Sequence, residues 1–266
     1  MDLDLLRKHF GRMGARLQVT EVAERSRRGV GIDVGADQHG EYFDIRLRPA
    51  NTVEYEVVDL QPSLRHLLLL ARRDDSAKEK FLCGHDERHW FVCAVPERGG
   101  VTGVVKAMEA LQPIEVRTVA TRTLRHPHDR LRRHNAAFIR QGEWFFIPSP
   151  DVVVNERLVQ RNEPISRGSG STPHLCQFLY RHGGEMVMVC TRYANGLTLE
   201  QYQKFVKSRP AAAQWNWRAM RRNAAVYVCG RVSHPDHKTI VLDGWHRVLM
   251  NTESEAPGSR NVVFLD

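Results

Sequence analysis

The sequence predicts an α+β protein, mostly antiparallel β-sheet with a few short helices, in which two β-rich halves resemble one another. Three observations carry this. Short apolar runs at period two, bounded by turn residues, recur along the chain; a few segments switch to helical spacing; and several strand-and-turn motifs recur in the same order.

The opening segment MDLDLLRKHFGRMGARL sets Leu3, Leu6, Phe10 and Met13 at helical spacing. Asp2, Asp4, Arg7 and Lys8 interrupt any apolar run, so it is read as an amphipathic helix and not as a secretory leader. EYFDIRLR (41–48) and VEYEVVDL (53–60) alternate apolar and polar residues and are expected to pair as a hairpin across Pro49-Ala50-Asn51. HLLLLAR, EKFLCG and HWFVCAV extend that pair into an expected meander of about five strands. In GGVTGVVKAMEALQP, Val101, Val104, Val105, Met108 and Leu111 mark one face of a helix that stops before Pro113.

Residues 115–140, EVRTVATRTLRHPHDRLRRHNAAFIR, form the most basic segment. Its second half is expected to be a helix with Leu131 and Phe138 on one side and Gly142 as its stop, followed by the strand EWFFIP. Dense Pro, Gly and Ser in RNEPISRGSGSTP suggest a linker or a flexible loop at 161–173, between an N-terminal domain, 1–160, and a C-terminal module, 174–266. In that module HLCQFLYR and EMVMVC read as strands joined across His182-Gly183-Gly184. A helix from Thr198 to Val206, a helical AAAQWNWRAMRR, and strands AVYVCGRV, KTIVLDGWHRVLM and NVVFLD complete it.

The recurring pieces suggest a duplication. His66-Leu67 and His174-Leu175 each open a strand; FLCG (81–84) matches YVCG (227–230); and each is trailed by a turn with two histidines, HDERH or HPDH, that leads into an apolar strand. The alignment needs an insertion in the second copy.

Composition bounds the function. The chain has 266 residues, enough for one large or two modest domains, and its 42% hydrophobic and 26% charged content is that of a globular protein. Lys and Arg number 39 against 31 Asp and Glu, and an arginine-rich excess favours a nucleic acid or another polyanion as partner. No apolar run reaches the length of a membrane span, and five scattered cysteines do not form a secreted disulfide framework, so a cytoplasmic protein without a membrane partner is expected. Phosphate-binding GxxxxGK[ST], dinucleotide GxGxxG and the GxSxG elbow do not occur, which disfavours nucleotide-driven motors, Rossmann dehydrogenases and serine esterases.

Three constellations carry candidate chemistry. Cys83, His85 and His89, and likewise Cys229, His234 and His237, offer thiol and imidazole ligands at two turns, suited to zinc or another divalent metal, although neither spacing is a familiar zinc pattern. His126, His128, Asp129 and His134 stand among arginines, where an imidazole beside an acid can act as a general base and guanidinium groups can hold charge developing on a phosphate. The nucleic-acid surface is expected on Arg122, Arg125, Arg130, Arg132, Arg133 and Arg140, and on Arg218, Arg221 and Arg222 with Trp215 stacking on bases. Core packing is the competing reading for Trp215 and Trp217, and strand alternation turns His246 inward with Val248 as a core histidine. The expectation is a nucleic-acid-binding protein. The alternatives are a metal- or histidine-dependent phosphodiester hydrolase and a module that recognises an acidic protein partner.

Overall fold

The computed structural model describes residues 2–21, 31–47, 53–73, 78–96, 100–167 and 171–255. It is an α+β fold dominated by antiparallel sheet, and its contacts divide it into two compact units: Met1–Glu143 with Asp236–Lys238 and Met250–Arg260, and Trp144–Pro235 with Thr239–Leu249 and Asn261–Asp266. No helix among the described residues is long and apolar enough to cross a membrane.

The first unit begins with α1, Leu3–Arg12, capped by the Asp2 carboxylate, which accepts from the backbone N–H of Asp4 and Leu5 at 3.1 and 3.0 Å. Its expected apolar face is the one buried, with Leu6, Phe10 and Met13 in the core. Strands β1 (Leu17–Glu21), β2 (Gly31–Asp37) and β3 (Gly40–Leu47) form a sheet in the order β1-β3-β2, with β1 parallel to β3. Strands β4 (Val53–Gln61), β5 (His66–Arg73), β6 (Lys78–Asp86) and β7 (His89–Val95) form a separate antiparallel meander in chain order. The expected hairpin of 41–48 with 53–60 is therefore corrected: β3 and β4 belong to different sheets, and the expected turn at 49–51 lies outside the described residues. Periodicity identifies a strand but not its neighbour, and β2, rich in Gly and Asp, gave no alternating signal.

The run HLLLLA in β5 lacks alternation because both of its faces are covered. Leu67, Leu69 and Ala71 pack with Phe81, Cys83, Leu6, Phe10 and Phe43, while Leu68 packs with Leu82, Val95 and the helix α2, Val104–Ala110. Ala107 and Ala110 share the buried side of α2 with Val104, while Val105, expected on that face, is 39% exposed. The Asp59 carboxylate of β4 accepts from the Val104 N–H at 2.8 Å and so caps α2 from a neighbouring strand.

The helix expected in the second half of 115–140 lies instead in the first half, as α3, Ile114–Thr123. Pro127 disfavours helical geometry at His126, and residues 127–131 form only a 3₁₀ turn. Asn135 Oδ1 then accepts from the N–H groups of Ala137 and Phe138 at 2.8 and 3.0 Å, a local turn that diverts the backbone into β8, Ile139–Gln141.

The second unit holds β9 (Trp144–Pro148), β10 (Gln160–Ile165), β11 (His174–His182), β12 (Glu185–Cys190), β13 (Tyr193–Thr198), α4 (Leu199–Ser208), β14 (Arg218–Arg222), β15 (Ala225–Ser233) and β16 (Ile240–Met250). Five strands run in the order β10-β11-β15-β16-β9, over a core that includes Cys176, Leu179, Val228, Val232, Leu242 and Val248. Of the expected linker or loop at 161–173, the first five residues lie in β10, which pairs with β11; residues 168–170 lie outside the described set. The expected helix across AAAQWNWRAMRR is a 3₁₀ turn, Pro210–Gln214, followed by β14, because the edge of β12 offers Arg218–Arg222 a ladder to pair with. Helix α4 begins at a capping box between Thr198 and Gln201. Strand NVVFLD lies outside the described residues.

The two strand runs that the expected duplication pairs share their strand order but not their register. Strands β4-β5-β6-β7 and β10-β11-β15-β16 are both antiparallel runs in chain order, the second interrupted by β12, β13, α4 and β14. In the first run Leu67 faces Cys83; in the second, Leu175 faces Ser233 and Cys229 faces Phe178, so the aligned residues are not opposite one another.

His66 ties the first meander to pH. The ring is 7% exposed, its Nδ1–H donates to the Leu64 carbonyl at 2.5 Å, and a Cβ on Gly84 opposite would lie 2.7 Å from it. Burial, opposed by that carbonyl and reinforced by the positive Arg140, Arg133 and His85, pushes the imidazole down to about 4 from 6.5. The unfolded chain therefore takes up a proton that the folded chain refuses. Stability is expected to be level above about pH 6.5 and to fall by up to about 3 kcal/mol as pH drops toward about 4. Urea titrations across this window check it, and in His66→Gln that component of the fall should vanish.

Candidate functional site

The first histidine turn is held by structural partners. Cys83 is fully buried in the core beneath α1, where burial pushes its thiol up. His85 stands edge-on to Trp90, with ring centroids 4.9 Å apart. His89 Nδ1 lies 2.6 Å from Glu41 Oε1, whose other oxygen accepts from the Trp90 N–H at 2.8 Å. Cys83, His85 and His89 therefore form no ligand set, and the turn is fastened to β3.

The basic segment does not present one continuous cationic surface. Arg133 is paired with Asp86 and, at 2.9 Å, with Glu87, and Arg140 reaches Asp86 at 3.3 Å. Burial and then the neighbouring Arg140 push the Arg133 guanidinium down to about 10; burial also lowers Arg140. Arg133 thus stays charged at neutral pH, and both arginines serve the fold. Arg132 pairs with Asp129 at 3.3 Å, and Arg130 donates to the Leu124 carbonyl at 3.4 and 3.2 Å. Arg122 and Arg125 are exposed. In the expected catalytic group Asp129 is engaged by Arg132, and His126, His128 and His134 are exposed along an irregular stretch with no shared focus.

In the second unit His174 and His234 come together. His174 heads β11 and is 1% exposed; its ring stacks on His234 at 4.2 Å, with Trp144 edge-on at 6.4 Å. His234 stands just beyond β15, on the turn the sequence suggested, but its neighbour is His174 and not Cys229 of β15, which pairs with Phe178 of β11. Imidazole nitrogens are ligands that zinc accepts. The one sequence signal for His174 was its match with His66 at the head of a strand.

The third feature is the module of residues 185–222, which carries seven Lys and Arg against two Glu. Both carboxylates are engaged: Glu185 by Arg222 at 2.5 Å and Glu200 by Lys204 at 2.6 Å. Arg221 donates to the Gly183 carbonyl at 2.9 Å while staying exposed, and Arg218 is exposed on β14. Tyr193, Trp215 and Trp217 lie nearly parallel, with centroids 5.8 to 6.3 Å apart, and Tyr202 and Phe205 of α4 close on them. The cluster is the packing centre of the module, yet none of its five rings is fully buried. The Arg192 guanidinium sits 4.3 Å from the centroid of Trp215. His246, by contrast, is a core histidine as expected, 5% exposed with Nδ1 at 3.0 Å from the Gly244 carbonyl. Comparisons with protein-family models, curated proteins and solved structures find no match for this chain.

The ion pairs divide the arginines into fold-bearing and free. Arg133→Gln is expected to cost about 2 kcal/mol or more, because Glu87 loses its guanidinium and Asp86 is left with Arg140, whereas Arg122→Gln and Arg125→Gln should stay within about 0.5 kcal/mol of the parent in chemical denaturation.

Proposed function

We propose that this protein binds single-stranded RNA or DNA through the aromatic and cationic face of residues 185–222. The observation that supports it best is Arg192 over the half-exposed ring of Trp215, in a module whose two carboxylates are already paired. Unpaired bases stack on indole and guanidinium faces, and Arg192, Lys207, Arg209 and Arg218 supply exposed positive charge for the backbone. Compared with the sequence expectation, this reading keeps Trp215, Arg218 and Arg221 and shifts weight away from Arg133 and Arg140. Fluorescence anisotropy with short labelled single strands tests it. Binding should be measurable near 50 mM salt and weaken linearly in log–log form as salt rises. Trp215→Ala should weaken it about 5- to 150-fold, the range of one lost base stack. Absence of binding at low salt, or full affinity in Trp215→Ala and in a joint Arg192→Ala, Arg218→Ala variant, would refute the reading and leave an acidic protein as the partner to seek.

A second reading, a metal- or histidine-dependent phosphodiester hydrolase, is favoured by the stacking of His174 on His234, two imidazoles of the kind that hold zinc. Elemental analysis of the untagged protein is expected to find about one zinc or manganese per chain, with His174→Ala and His234→Ala each losing it. Equal metal content in the parent and both variants would remove this site from consideration.

A further inference from the structure

In the first unit, α2, α3 and the 3₁₀ turn Pro127–Leu131 line a cleft of about 490 Å³. We propose that it is a binding site for a phosphate monoester carried on a small, partly apolar body, of the size of one mononucleotide. Four cations from three elements line it: Lys106 of α2, Arg117 and Arg122 of α3, and Arg130 of the 3₁₀ turn. Glu109 is the carboxylate on its wall, and Lys106 Nζ engages it at 2.8 Å, so the net charge of the lining stays positive. Arg117 lines the cleft as well, and its buried Nε makes no hydrogen bond among the described residues. Arg130 is held by the Leu124 carbonyl through Nε and one terminal nitrogen, which fixes the plane of its fork and leaves the other terminal nitrogen to a ligand. A second tether, from the Gln112 amide to the Arg130 carbonyl at 3.0 Å, fastens the 3₁₀ turn to the segment that joins α2 and α3.

Fixed guanidinium forks match the oxygens of a phosphate, and the charge-assisted bonds they make are about twice as strong as neutral ones. Ile114, 58% exposed on the same wall, offers apolar surface for the body that carries the phosphate. The volume lies within the range of small-molecule sites and is far too small for a duplex. A free mononucleotide and the 5′-phosphate end of a strand share this chemistry.

Isothermal titration of the full chain with inorganic phosphate, adenosine monophosphate and adenosine tests the site, and a 5′-phosphorylated against a 5′-hydroxyl oligonucleotide separates the two sources. One site for phosphate and the monophosphate is expected, with adenosine about tenfold weaker or worse. Arg117→Gln and the exposed Arg122→Gln should each weaken the monophosphate by about tenfold or more, and Arg117→Lys should not restore the parent affinity, since an ammonium lacks the fork. Should Arg117→Gln fail to fold, Arg122→Gln decides alone. Trp215→Ala should leave the monophosphate affinity unchanged, which keeps this site's outcome separate from that of the aromatic face. No heat with phosphate or the monophosphate at millimolar concentration, or parent affinity in the folded arginine variants, would overturn the assignment.

Discussion

The first unit depends on burying both faces of one strand. Leu67, Leu68 and Leu69 have no exposed surface and Leu70 has 6%, and each such side chain contributes about 1.5–3 kcal/mol relative to exposure. A slip of one residue in β5 would exchange the side chains facing α1 with those facing α2, so the register is tightly specified. That register places His66 against Gly84 and carries the strand pair outward to Asp86 and Glu87, the carboxylates that gather Arg133 and Arg140.

Electrostatics therefore follows from packing. Arginines near β6 are consumed by the two acids at its end, and those farther along α3 are left to line the cleft. A net positive charge says little about where a polyanion could bind until such pairs are removed from the count. The same holds for histidine. His66 is kept neutral by burial, His89 is fastened to Glu41, and His174 stacks on His234.

The second unit carries an insertion between β11 and β15 that is too small to bury its own aromatic residues. A module of this size has a high surface-to-volume ratio, and its five rings remain half-covered while its acids are spent on ion pairs. Exposed aromatic surface beside unpaired cations is the outcome, and it is where the sequence motif WNWRAMRR acquires a shape different from its helical reading.

Local periodicity in the sequence determined α1, β5 to β7, α4 and the inward His246, because each rests on side-chain spacing within a single element. Tertiary structure decided the rest. Whether β3 pairs with β4, whether residues 218–222 form a helix or a strand, and whether Arg133 faces solvent or Asp86 depend on hydrogen bonds and charges supplied from distant parts of the chain. The His174 ring meets His234 for the same reason: β11 and β15 are neighbours in the sheet although the whole α4 module separates them in sequence. Spacing along a chain fixes which face a residue takes, and only the fold fixes what that face meets.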